Sequence, residues 1–352
     1  MKKLWFVLVV ALGSGTTAVG LEPANPEMIP EARSVLNYLE SIYGQKTLAG
    51  ANNRSGIESI ARVCGKEPAI ASFDLSGWNS PPWGESYASV VQSAVNAAKA
   101  WAEKGGIVTM QLHWIHPSNP EGSAWLGKHG RKTASAPFDF AAALTPGTKI
   151  HAELMRDLKG HADYLQQLAD ARIPVLWRPL HEIEGGWFWW TDEKQPEHTA
   201  ALWRFMFDYF IHERKLHNLI WVYSSALRCG PGKDGVTNVA TRRRFYPGAA
   251  YVDIAGIDIY PNRSLGFGEP QADTYATSFA LMEQVAPGKM LALSECRAIP
   301  DPDRMTTHGP KWLYVLPWSG EGKTHSADWI KKTYSHELLI TRDELPELRK
   351  RK

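Results

Sequence analysis

Two glutamates stand where a buried charge demands a reason. Glu182 ends the run Trp177-Arg178-Pro179-Leu180-His181-Glu182, and Glu295 ends Met290-Leu291-Ala292-Leu293-Ser294-Glu295. Both runs read as short buried strands, and a carboxylate at such a strand end is costly unless charge chemistry takes place there. Two carboxyls brought together across a closed sheet are the equipment for cleaving a glycosidic bond, one giving a proton and the other attacking or activating water.

The remaining strand ends carry a matching set of side chains. They are Asp74 and Trp78, His113 and Trp114, Arg178 and His181, Tyr223, Asp258 and Tyr260, and Trp318. Aromatic faces cover the C–H faces of a sugar ring, while charged groups bind its hydroxyls. Several of these residues allow two readings. Tyr223 lines the pocket or packs in the core, Trp318 is a sugar platform or a packing residue, and Asp258 binds substrate hydroxyls or holds Arg178. His113, His116 and His129 match no compact metal motif, so structural or substrate-contact roles are expected, with no metal and no cofactor.

The elements that must position these residues alternate. Apolar, β-branched runs at 46–49, 69–74, 106–113, 175–178, 219–223, 252–259, 290–295 and 312–316 read as strands buried on both faces. Amphipathic helices are predicted at 32–43, 87–103, 151–171 and 197–216. Eight strands separated by helices argue an α/β fold, the (β/α)8 TIM barrel, with its site at the C-terminal strand ends. A doubly wound open sheet is the alternative, but no glycine-rich phosphate loop follows the first strand. The stretch 115–147 has no clear periodicity and is long enough to shape a site. A helix and a polar tail are expected over 326–348.

Composition limits the function classes. The 352 residues are 44% hydrophobic and 22% charged, with a formal net charge of +2 and no long charged run, so nucleic acid is not an expected partner. Lys2 and Lys3, an apolar run over 4–12, and Ala18 and Gly20 read as a secretory signal peptide over residues 1–20, with a membrane anchor as the alternative. Residues 21–352 form a single catalytic domain in this reading, exported, acting as a monomer, with no membrane span. Cys64, Cys229 and Cys296 fit no zinc motif; one disulfide would leave at least one thiol, and Cys296 is expected to point away from Glu295 and pack.

The segment from Trp177 through Glu182 to Gly185-Gly186-Trp187-Phe188-Trp189-Trp190 resembles the acid/base signature of glycoside hydrolase family 26, chiefly β-mannanases. Further resemblances run in order along the chain, in Lys46-Thr47-Leu48-Ala49-Gly50, the 105–114 segment, the 143–148 segment, the 253–260 segment, Leu293-Ser294-Glu295 with Ile299-Pro300, and the 341–345 segment. The resemblance implies a (β/α)8 barrel, retention of anomeric configuration, Glu182 as acid/base and Glu295 as nucleophile. It places His181 and Trp187 in the sugar subsite around the cleaved bond; as a residue alone, His181 has the alternative reading of a strand-end histidine bonded to backbone. Retention implies carboxyls roughly 5–5.5 Å apart. Burial beside Trp187 is expected to raise the acid's pKa, and Arg178 and Tyr260 are expected to orient the nucleophile. The Trp187–Trp190 aromatics cannot all face sugar, and Trp189 is read as core. Two positions depart from the signature. Ile183-Glu184 stands where many members carry Met-Asn, and Thr191 where many carry Gly. Glu184 is expected to alter a subsite or the acid's pKa. The expected substrate is a β-1,4-linked mannan, poly- or oligosaccharide. The alternatives are another β-glycan (β-1,3-xylan or mixed-linkage β-glucan) and an inactive carbohydrate-binding barrel.

Overall fold

The computed structural model describes residues 22–76, 87–119, 122–126, 138–226, 239–260, 274–320, 322 and 324–349. The proposed signal peptide, Trp78, His129 and Cys229 lie outside these residues. Helix α1 (Pro30–Ile42) precedes strand β1 (Thr47–Asn52). Then α2 (Asn53–Cys64) leads to β2 (Ile70–Asp74), and α3 (Tyr87–Glu103) to β3 (Ile107–Gln111). A short α4 (Phe140–Ala143) and α5 (Lys149–Asp170) lead to β4 (Val175–Arg178), and α6 (Pro196–Asp208) to β5 (Leu219–Ala226). Next, α7 (Val239–Phe245) leads to β6 (Ile254–Ile259), α8 (Ala276–Val285) to β7 (Met290–Cys296), and α9 (Pro302–Thr307) to β8 (Tyr314–Pro317). A further helix, α10 (Ala327–Tyr334), and a two-residue strand, β9 (Leu339–Ile340), follow.

Strands β1 to β8 run parallel in order, and β1 pairs with both β8 and β2, so the sheet closes into a (β/α)8 barrel. Each predicted strand has a counterpart in it. The region read as a helix and tail also contributes β9, which pairs with the start of β1. That strand is too short to leave a periodic signal in the sequence.

Alternation along the strands divides each into an inner and an outer face. Leu176 and Arg178 share one face of β4, as do Ile220, Val222 and Ser224 on β5, and Ile254, Gly256 and Asp258 on β6. The lower members, Leu176, Ile220, Val222 and Ile254, join Leu48, Ile70, Ile107, Met290 and Ala292 in one buried apolar cluster with Ala32, Leu36 and Leu39 of α1. The upper members are polar. The opposite faces, with Trp177, Trp221 and Tyr223, pack against the surrounding helices in a second core. The barrel is thus a packed apolar plug below and a polar layer above, and the polar layer is where the chemistry sits.

One irregularity matters to that layer. Leu293 pairs with Ile257 and Glu295 with Asp258, so Ser294 is an extra residue on β7. A bulge of this kind re-aims side chains. It lets Ser294 and Glu295, adjacent in sequence, both turn to the polar layer. Gly256 makes room, since a Cβ there would lie 2.3 Å from Ser294 Oγ.

Candidate active site

Arg178 is the hub. Its side chain leaves the end of β4, completely buried, and its Nη1 donates to Asp258 Oδ2 at 2.8 Å and to Ser224 Oγ at 3.2 Å. Its Nη2 donates to Glu295 Oε1 and to Gln111 Oε1. Burial works against the charge of this guanidinium, but Asp258 and Glu295 outweigh it and raise the Arg178 pKa. A bare guanidinium could not be held in this place without such partners.

Glu295 takes its second oxygen's hydrogen bond from the Tyr260 hydroxyl. Burial, and then the charges of Glu295 and Glu182, push that hydroxyl well above its ordinary pKa, so it stays a donor. Asp258 accepts from Ser294 Oγ at 2.7 Å as well as from Arg178. Burial pushes its carboxyl up to about 7, with Arg178 pulling down and Glu295 pushing up. Among the two readings of Asp258, the geometry shows it holding Arg178.

Glu182 is built differently. It follows β4 by four residues, at a left-handed φ of 51°, in a turn that also bends Leu180 to φ 47°. It remains partly open to the cleft, and its Oε2 accepts from Trp187 Nε1 at 2.6 Å. Gly185 allows this contact, because a Cβ there would lie 2.5 Å from the Trp187 ring. Desolvation first, then the charges of Asp258 and Glu295, hold the Glu182 carboxyl well above the usual range; the Trp187 N–H and Arg178 pull it down. The expected elevation is present with its expected cause, burial; the neighbouring carboxylates add to it, while the indole N–H itself favours the charged form.

A ring cluster borders these carboxyls. The His113 and His181 rings are 4.5 Å apart, and the His113 and Trp318 rings 6.3 Å apart, with Phe188 5.0 Å from His181. His113 donates from Nδ1 to Asp74 Oδ2 at 2.6 Å. Burial pushes Asp74 up, but His113, by charge and hydrogen bond, and Gln111 outweigh it and hold the carboxyl low. Burial, then His113 and Arg178, hold His181 well below its ordinary pKa, so its ring is neutral. The long stretch after β3 reaches this cluster: Leu126 N donates to Trp187 O at 2.6 Å and Trp189 N to Ala124 O at 3.0 Å.

Two predicted site residues are elsewhere. Trp114 is buried away from the cluster, its Nε1 donating to Asp157 Oδ2 at 3.0 Å and its ring 4.9 Å from Trp189. It follows His113 directly, so alternation turns it outward to α5. Tyr223 also faces outward, among Trp203 and Tyr246, one residue out of phase with Ser224. Glu184 is corrected too. It is completely buried and bound by Arg242 and Ser225, with no part in the cleft. Of the aromatic run, Trp187 is partly exposed, and Phe188, Trp189 and Trp190 are buried. Cys296 is a buried free thiol and Cys64 a half-buried one. Sequence reasoning passed over Gln111, Ser224 and Ser294. Gln111 and Ser224 were within reach, each in phase along a strand with a polar rim position or an inner apolar residue. Ser294 was not, because the bulge overrides alternation.

The family model for glycosyl hydrolase family 26 matches residues 24–344, most of the chain. The chain belongs to that family. A mannan endo-1,4-beta-mannosidase from Thermothelomyces thermophilus is 34% identical over 331 residues, covering 91% of this chain and 62% of that protein. A mannan endo-1,4-beta-mannosidase B from Piromyces sp is 28% identical, covering 92% of this chain and 53% of that protein. The chain thus spans about half to three-fifths of the length of these curated relatives. Among solved structures, a beta-mannanase from a symbiotic protist of the termite Reticulitermes speratus, complexed with gluco-manno-oligosaccharide, superposes with TM-score 0.75 at 30% identity, covering 92% of this chain and 97% of that one. The Podospora anserina GH26-CBM35 beta-(1,4)-mannanase superposes with TM-score 0.74 at 29% identity, covering 93% of this chain and 69% of that one.

Proposed function

We propose that this family 26 chain hydrolyses β-1,4-mannosidic bonds in mannans by double displacement, with retention. The observation that carries the reading is the unlike settings of two carboxyls on one barrel rim. Glu182, held protonated by its surroundings, gives its proton to the leaving glycosidic oxygen while Glu295 attacks the anomeric carbon. The leaving chain departs and a glycosyl-enzyme ester forms. Glu182, now a carboxylate, takes a proton from water, which attacks the anomeric carbon and frees Glu295. Tyr260 and Arg178 hold the nucleophile in line throughout. His113, His181, Trp187 and Trp318 border the position of the reacting sugar. No cofactor enters this sequence of steps. The mannan assignment is supported by the named activities of the relatives above. No helix among the described residues is long and apolar enough to cross a membrane, and residues 1–20 are proposed to direct export.

The deciding experiment is a product profile on mannan, galactomannan, xylan and mixed-linkage glucan, with the anomer of the first product followed by NMR. Release of manno-oligosaccharides as the β-anomer is expected. Preferential cleavage of another glycan overturns the substrate, an α-product overturns the mechanism, and binding without cleavage of any of them leaves only the carbohydrate-binding barrel.

A further inference from the structure

Two residues beyond the acid, the chain buries a second carboxylate away from the cleft. One oxygen of Glu184 accepts from Arg242 Nη1 on α7 and from Ser225 Oγ on β5, and Arg242 donates to the same serine. Both charged side chains are completely buried. A buried ion pair is weak evidence for stability, because desolvation offsets most of its attraction. Its position says more. It anchors the stretch that carries Glu182.

That stretch needs anchoring. Leu180 and Glu182 both take left-handed backbone, which non-glycine residues adopt only where their surroundings over-determine it. Backbone bonds hold part of it: Ile183 N donates to Ser224 O at 3.1 Å, and Gly185 N to Glu182 O at 2.8 Å. Side chains add to them, with Trp190 Nε1 donating to His181 O at 3.2 Å and Thr191 Oγ1 to Ile183 O at 2.9 Å. Ile183 on Ser224 and Glu184 on Ser225 are consecutive in both segments, so the turn is stitched along the end of β5. The same Ser224 receives Arg178, the hub that holds Glu295. Glu184 thus ties the acid's turn, through charge, to a helix outside the barrel, and through β5 to the nucleophile's own support.

We propose that Glu184, acting through Arg242 and Ser225, is a positioning residue that fixes the left-handed turn and so aims Glu182 at the glycosidic oxygen. It touches no substrate. The role rests on the acid function proposed above for Glu182, and its signature is selective. In kcat/KM, which reports events up to glycosidic bond cleavage, losing the aim harms only cleavage that needs a proton from Glu182.

The test compares kcat/KM on mannan with kcat/KM on an aryl β-manno-oligosaccharide whose dinitrophenolate leaving group needs no proton. Glu184→Gln is expected to lose about 10- to 100-fold on mannan, the scale of a small misplacement of a catalytic group, with KM little changed and the aryl substrate nearly unaffected. Ser225→Ala removes the two hydrogen bonds of the hydroxyl while leaving Glu184 paired with Arg242, and is expected to show the same selectivity at about 2- to 10-fold. Glu184→Asp is expected to recover part of the loss. Should Glu184→Gln fail to fold, as its circular dichroism would show, Ser225→Ala decides alone. Equal losses on both substrates, or none on either, overturn the positioning role while leaving the proposed function intact. A wild-type chain inactive on both substrates overturns the proposed function, and this role with it.

Discussion

The two carboxyls of the site are the same residue type in contrasting settings. Around Glu295 the backbone follows the sheet, disturbed by one bulge, and the side chain sits between a guanidinium and a phenol. Around Glu182 the backbone leaves the sheet for a left-handed turn, and the carboxyl accepts from the Trp187 indole N–H. The contrast teaches that the proposed division of labour rests on the surroundings: dense donors on one side, desolvation and neighbouring negative charge on the other. The two settings are also joined. Asp258 braces Arg178 beside Glu295 and, by its charge, raises the pKa of Glu182.

The comparison breaks most sharply at the carboxyls themselves. Glu295→Ala is expected to lower kcat on mannan by on the order of 10⁴-fold or more, on activated aryl substrates as well, because no leaving group replaces a nucleophile. Glu182→Ala is expected to lose about 10²- to 10⁴-fold on mannan but to recover much of the glycosylation rate on a dinitrophenyl substrate. Equal recovery by the two variants would erase the proposed division. A smaller effect tests the link between the settings. The basic limb of the kcat/KM profile follows loss of the acid's proton, so activity falls as pH rises through the Glu182 pKa. Asp258→Asn removes a charge that raises this pKa and is expected to move the limb to lower pH by about one unit, measured on mannan. The smallest effect has the opposite sign. Trp187→Phe removes a donor that lowers the same pKa, so the limb is expected to move to higher pH by less than about one unit. Shifts in the same direction for both variants would contradict the assigned causes.

Much of this was legible in the residues. The eight barrel strands were readable from short apolar runs, because strands buried on both faces need apolar side chains on both. The candidate site was readable wherever a polar or aromatic residue interrupted the end of such a run. What misled was phase. Trp114 and Tyr223 stand at the right height on the barrel but on its outer face, one residue out of step with His113 and Ser224. Glu184 looked like a third carboxyl for the cleft and is instead an anchor behind it.

The sequence by itself determined the barrel, the pair Glu182 and Glu295, and the family, because burial pattern and signature spacing are local properties of the chain. Only the tertiary structure decided which way each neighbour faces and what it does to the carboxyls. The bulge that turns Ser294 inward, the left-handed turn under Glu182, and the meeting of Glu184 with Arg242, 58 residues away, exist only once distant strands and helices have packed. Charge and desolvation act through that packed space, not along the chain, and so the physical causes that set the two glutamates apart exist only there.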